Sequence, residues 1–260
     1  MGFLSDIVAE VRAGLRAAPL DTVALERRAA RMGPTLDFEA ALGGERIAVI
    51  AEVKRASPSA GSIAAQADPV AVARAYAAGG AAVVSVLTEP RHFSGSLGDL
   101  DEVRAAVALP VLRKDFLVEP SQVVESRAHG ADAILLIAAA LDDDALAAML
   151  AEAAALRVGV LLETHDDGDL DRALATDAPV IGVNARDLET LEVDRERARR
   201  QLARIPDDRV AVFESGIGSR ADVVAVASAG ASAILVGETL MRAADPGREI
   251  RILTGEEPDP

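Results

Sequence analysis

Residues 129–137 read HGADAILLI. Gly130 follows a polar stretch with helical spacing, and glycine is where helices commonly stop. The run after it is apolar on both alternating sets of positions apart from Asp132 at its start. A strand with one wet face alternates polar and apolar residues. A strand buried on both faces does not, and such strands belong to parallel sheets. Asp142 then offers the side-chain oxygen that opens the next helix. This unit of glycine, buried strand and capped helix recurs in both directions along the chain. Short β-branched or apolar runs occupy 46–54, 81–88, 110–116, 131–137, 158–163, 179–184, 209–214 and 232–237, with segments such as VVSVL and AILVG. Helical stretches between them open at Asp68-Pro69, Pro120, Asp142 and Ser219, and several close on Gly79-Gly80, Gly130 or Gly230. Eight strand–helix units in roughly 210 residues predict an α/β protein of the (β/α)8 TIM-barrel class. The alternative, an open doubly wound sheet, wants a glycine-rich turn after its first strand, and residues 50–61, IAEVKRASPSAG, are not a GxGxxG.

Before the first strand, helical patterns at 3–16 and 22–32 and a shorter one at 37–42 predict an N-terminal helical extension, residues 1–45. It is too short to bury a core of its own and is expected to pack on the barrel, residues 46–254, as part of one domain. The tail 255–260, GEEPDP, is expected to fray. The 260 residues are 50% hydrophobic, ample for one large core. The net charge of −15, from 27 basic and 42 acidic residues, argues against nucleic acid and anionic membranes as partners. It leaves a small molecule, and an anionic one needs local positive charge. The chain has no cysteine, hence no disulfide, thiolate nucleophile or cysteine-bound metal. No apolar run reaches about 18 residues, and the first residues carry acids unlike a signal peptide. A cytoplasmic monomer is the expectation.

Only Lys54 and Lys114 are lysines, against 25 arginines. An ammonium, unlike a guanidinium, changes its pKa readily on burial and so exchanges protons. Both lysines end apolar runs. Windows of about four residues at eight strand ends cover roughly an eighth of the chain, so two lysines placed at random would both fall there about once in sixty trials. Barrel enzymes carry their chemistry at those ends. Alternation puts Glu52 with Lys54, and Lys114 with Leu112 and Phe116. The fourth strand offers Leu135 and Ile137, and the next three end on Glu163, Asn184 and Glu214. Mutual neutralisation in a salt-bridge network is one account of these polar ends; a site of shifted pKa values is another, and the two are compatible. Glu214-Ser215-Gly216-Ile217-Gly218 and Gly237-Glu238-Thr239 follow the last two strands, where backbone N–H groups and a helix start suit a phosphate. Phe93 and Phe116 are two of five phenylalanines; with Leu135, Ile137 and Leu188 they suggest an apolar pocket for a flat ring. His92, His129 and His165 are not spaced as a metal site, and no metal or organic cofactor is expected.

The motifs resemble indole-3-glycerol phosphate synthases of the tryptophan pathway. IAEVKRASPSAG resembles that family's first-strand signature, and the similarity continues through VLTEPRHFSGSLGDL, PVLRKDF, ADAILLI, LLETH, IGVNARDLETL, ESGI and LVGETLM, in order over residues 46–245. Val53 and Ala56 occupy signature positions that vary. The resemblance implies a carboxy-lyase that closes 1-(2-carboxyphenylamino)-1-deoxyribulose 5-phosphate to an indole with loss of carbon dioxide and water. It implies Lys114 as the general acid of ring closure, Glu163 as acid/base of the dehydration, and Lys54 at the substrate carboxylate. Glu52 and Asn184 are implied to orient hydroxyls and lysines, with Ser57, Arg186, Glu214 and Ser215 at the substrate's polar groups. Backbone near Ser215, Gly216, Gly237 and Glu238 is implied to hold the phosphate. From the residues alone, three other readings stay open: an isomerase or cyclase barrel using Glu52 and Glu163, a Schiff-base aldolase using either lysine, and a barrel that binds a phosphometabolite without turnover.

Overall fold

All eight apolar runs form parallel strands in a computed structural model that describes residues 2–44 and 46–258. They are β1 (Ala48–Val53), β2 (Val83–Leu87), β3 (Val111–Lys114), β4 (Ala133–Ile137), β5 (Gly159–Thr164), β6 (Val180–Asn184), β7 (Val210–Glu214) and β8 (Ala233–Val236). β1 pairs with both β2 and β8, so the sheet closes into a barrel with strands in sequence order. Ile50, Leu112, Leu135, Leu161 and Val212 share the parity of the residues that end their strands at the mouth, and all are fully buried. Closure leaves no open sheet edge, and these side chains fill the interior below the site.

The helices of the barrel start where the sequence signals them. Asp68, Asp142 and Ser219 each accept a hydrogen bond from a backbone N–H in the first turn of α4 (Pro69–Ala78), α7 (Asp143–Leu156) and α10 (Arg220–Ser228). Ser96 and Asp194 do the same for α5 (Leu97–Ala106) and α9 (Arg195–Leu202). Gly130, φ 80°, closes α6 (Pro120–Ala128) in the left-handed region. The remaining barrel helices are α8 (Asp167–Leu174), α11 (Glu238–Arg242) and α12 (Pro246–Thr254).

The extension forms α1 (Phe3–Ala17), α2 (Thr22–Ala29) and α3 (Phe38–Leu42). α2 packs on α6, and Phe38 of α3 lies against Gly159 at the foot of β5. Asp132, just before β4, accepts from the Leu36 N–H at 2.8 Å and from the Val111 N–H at 2.9 Å, so one buried carboxylate joins the extension to two strands. α1 reaches the mouth: Ser5 Oγ donates to Glu189, in the loop after β6, at 2.7 Å. At the other end of the chain, Glu256 pairs with Arg46, and Glu257 with Arg248 and Arg251. Asp259 and Pro260 of the expected frayed tail, and Met1 and Glu45 of the extension, lie outside the described residues. No helix among the described residues is long and apolar enough to cross a membrane.

Candidate active site

A cavity of about 390 Å³ opens at the C-terminal ends of the strands. It is lined by Glu52, Lys54, Ser57, Lys114, Glu163, Asn184 and Arg186, by the apolar set Phe93, Phe116, Leu135, Ile137 and Leu188, and by Glu214, Ser215, Gly216, Gly237 and Glu238. Every residue named from the sequence as a catalytic, substrate-binding or phosphate-binding candidate therefore borders one space. Its volume falls in the range of small-molecule sites, roughly 300–1,000 Å³.

The floor is charged. Lys114 Nζ stands 3.0 Å from Glu163 Oε2 and 3.5 Å from Glu214 Oε2. Asn184 Nδ2 donates to Glu163 Oε1 at 3.2 Å, while its Oδ1 accepts from the Arg186 N–H at 3.0 Å, which fixes the amide's orientation. Lys54 Nζ and Glu52 Oε2 form a second ion pair at 2.6 Å. Register explains the crowding. Glu163 lies beside Gly182 on β6, and Glu214 Oε1 occupies space that a Cβ at Gly182 would take. Gly237 leaves similar room for Glu52 Oε2. Only a residue without a side chain admits these carboxylates to the interior.

The protonation states differ from what burial alone suggests. Desolvation pushes the Lys114 amine down, but Glu163, Glu214 and Glu52 outweigh it and hold the amine above its ordinary value. Three acidic side chains surround this ammonium, and together they outweigh the desolvation penalty. For Glu163, burial disfavours the charge, yet Lys114 and His165 hold its carboxyl well below the ordinary range. For Glu214, burial and the Glu163 charge act together and raise its carboxyl well above it. Two carboxyls shifted in opposite directions thus flank one ammonium. Among the described residues neither Glu214 oxygen has a well-directed hydrogen-bond partner, so its contact with Lys114 is one of charge.

One wall is aromatic. The rings of Phe93 and Phe116 are tilted at 6.1 Å, and Phe3 of α1 meets Phe116 edge-on at 6.4 Å. Phe3 also lines the cavity. The sequence reading missed it because nothing local links the extension to the mouth. The loop after β1 is held over the opening by Arg55, whose Nη1 and Nη2 pair with Asp99 at 2.7 and 3.0 Å. That loop carries Ser57 in a short antiparallel hairpin, Ala56–Ser57 against Gly61–Ser62.

Opposite lies the glycine-rich rim. Ser215 and Gly216 both have positive φ, 70° and 81°. For serine this conformation is strained, and such strain gathers at functional turns. Thr239 Oγ1 donates to the Ile217 carbonyl at 2.6 Å and ties the two rim loops together. The expected helix start at Gly237 is a single turn, α11, so the rim offers backbone N–H groups rather than the dipole of a long helix. Arg195 and Arg242 add positive charge beside it; no sequence signal set them apart from the other arginines. His165, weighed from sequence only as a metal ligand, stands against Glu163 instead. No three His, Asp or Glu side chains among the described residues gather as a metal-binding group.

A family model described as indole-3-glycerol phosphate synthase matches residues 4–253. An indole-3-glycerol phosphate synthase from Mycobacterium avium is 53% identical over 245 residues, covering 94% of this chain and 90% of the relative. Indole-3-glycerol phosphate synthase 1 of Streptomyces coelicolor is 49% identical over 262 residues, covering 99% and 97%. Among solved structures, a 3-hexulose-6-phosphate synthase superposes with a TM-score of 0.63 at 18% identity, over 80% of this chain and 99% of that one. At that identity the likeness is one of fold alone.

Proposed function

The chain belongs to the indole-3-glycerol phosphate synthase family and has that activity, and from this premise we propose how the residues at the mouth divide the reaction. The substrate, 1-(2-carboxyphenylamino)-1-deoxyribulose 5-phosphate, places its phosphate on the rim of Ser215, Gly216, Gly237 and Glu238, with Arg195 and Arg242 supplying charge. Its aryl ring lies against Phe93, Phe116, Leu135, Ile137 and Leu188. Lys54 pairs with the substrate carboxylate and, beside Gly237, also faces the phosphate.

Ring closure joins the aryl carbon that bears the carboxylate to the ketone carbon. The ketone oxygen gains negative charge and takes a proton from the Lys114 ammonium. Carbon dioxide then leaves, and the electron pair of the broken bond restores the aromatic ring. Dehydration follows: Glu163 accepts the proton removed from the substrate carbon, and the hydroxyl departs as water with a proton from an ammonium. Glu52 and Asn184 orient the lysines and hydroxyls, while Ser57, Arg186 and the Glu214 carboxyl meet the substrate's polar groups. The observation that carries this scheme is the 3.0 Å pair of Lys114 and Glu163 on the charged floor of a cup with one aromatic wall. An amine held as an ammonium stabilises the developing oxyanion by its charge and is a poor Schiff-base nucleophile, which disfavours the aldolase reading.

The acidic chain acts as a monomer in the cytoplasm, its extension forming one unit with the barrel. Among the described residues the exposed large hydrophobic side chains are scattered: Val23, Val193 and Val224. The experiment uses fluorescence. The chain has no tryptophan, so adding substrate to purified protein is expected to give indole emission that grows with time. Binding without emission supports the silent-barrel reading instead, and borohydride trapping of a ketose phosphate on either lysine supports the aldolase.

A further inference from the structure

His165 takes no part in the scheme above, yet it touches the proposed base. It lies two residues past Glu163, so its side chain turns to the same side. The ring is buried. Nε2 stands 3.0 Å from Glu163 Oε1, and Nδ1 stands 3.7 Å from Asp169 Oδ2 in the first turn of α8. Asp169 is itself fixed: Oδ2 accepts from the His165 backbone N–H at 3.1 Å, and its own N–H donates to Asp166 at 2.8 Å. Asp187, in the loop after β6, is the third carboxylate whose charge couples to the ring. Neither ring nitrogen has a well-directed hydrogen-bond partner, so the contacts are those of charge with charge. A neutral imidazole turns one lone pair toward a carboxylate here. An imidazolium turns an N–H toward each.

We propose that His165, anchored by Asp169, is a positioning residue for Glu163: with Asn184 it occupies Oε1 and leaves Oε2, the oxygen next to Lys114, to exchange protons with the substrate. The inference rests on the acid–base role proposed for Glu163. Burial alone lowers the ring's pKa, but Asp169 and Glu163 outweigh it and lift it to about 9. The ring is therefore a resident cation at neutral pH, and its charge helps keep Glu163 ionised.

The test uses the full-length protein and four variants: His165→Asn, His165→Ala, Asp169→Asn and Glu163→Gln. Nitrogen NMR of histidine-labelled protein, assigned by the signal that His165→Asn removes, is expected to show a doubly protonated ring at pH 7.5. That ring should turn neutral near pH 9, and at lower pH in Asp169→Asn. In steady-state kinetics, His165→Ala should lose about tenfold or more in kcat with little change in KM. The acid limb of its pH profile should move upward, because Glu163 without its cation protonates sooner. His165→Asn, which can still donate an N–H, should recover part of kcat but keep the shifted limb. A ring neutral at pH 7.5 overturns the proposal. So does a His165→Ala profile that matches the wild type, or one whose kcat falls with its acid limb unmoved. If His165→Ala does not fold, Asp169→Asn is read in its place by the same NMR criterion. Full kcat in Glu163→Gln overturns the role of Glu163 itself and is distinguishable from all of these.

Discussion

Lys114 is held as an ammonium, and Glu163 as a carboxylate, by each other. On the proposed scheme the pair gives one proton and takes another only while both partners keep their types. Lys114→Arg preserves the charge but supplies no transferable proton. Its kcat should drop below about a tenth of wild type in the indole-emission assay, and a higher value removes Lys114 as the general acid. Glu214 makes the opposite case. Its carboxyl titrates above the ordinary value of 4.5, so the native protein binds a proton that the unfolded chain has already released. Wild-type stability on this account is lost as pH rises from 4.5 through the native value. Glu214→Gln carries no such proton. Its urea midpoint should gain on the wild type as pH rises from about 5 to 8, with the difference levelling off below about 4.5. A pH-independent difference contradicts the raised value. The polar residues that end the strands were legible because period-2 alternation assigns each a side. Their protonation states were not, since these depend on groups brought together from β1, β3, β5 and β7.

At the scale of elements, the strands and capped helices followed local rules, and the buried polar joints did not. Arg113 points outward from β3 and is buried: Nε donates to Thr88 at 3.1 Å, while Nη1 and Nη2 pair with Glu125 and Asp115 at 2.9 and 3.0 Å. Nothing in PVLRKDF separates this structural arginine from its neighbour at the mouth except parity. The Asp132 joint is the more critical one. Asp132→Ala leaves the N–H groups of Leu36 and Val111 unpaired, and each buried orphan costs about 1–3 kcal/mol. A stability loss of about 2–4 kcal/mol by urea unfolding is expected, with kcat of the folded enzyme little changed because Asp132 lies at the foot of the barrel. A loss below about 0.5 kcal/mol would show that water replaces the carboxylate. α7 shows the limit of stop signals from the other side: it ends on Arg157 at φ 56°, a left-handed position with no glycine to announce it.

Across the whole molecule, a net charge of −15 surrounds a cavity that carries both lysines and at least three arginines. Five acidic side chains share that lining, so the cavity is close to balanced in charge where the surface is strongly negative, which eases the entry of an anionic substrate. With its large apolar residues inside, the protein is expected to sediment as one species of 26.9 kDa across micromolar concentrations. A dimer at those concentrations contradicts the monomer reading. The sequence alone determined the barrel, the order of its strands and the side chains at their ends. Buried parallel strands, helix caps and side-chain alternation all act over a few residues and leave their mark in a few letters. Only the tertiary structure decided that Phe3 closes the aromatic wall, that His165 backs Glu163, and that Gly182 makes room for Glu214. It also decided which carboxyl is shifted up and which down. These outcomes arise where segments far apart in the chain share one desolvated space, and there the energies depend on distances that a linear pattern does not contain.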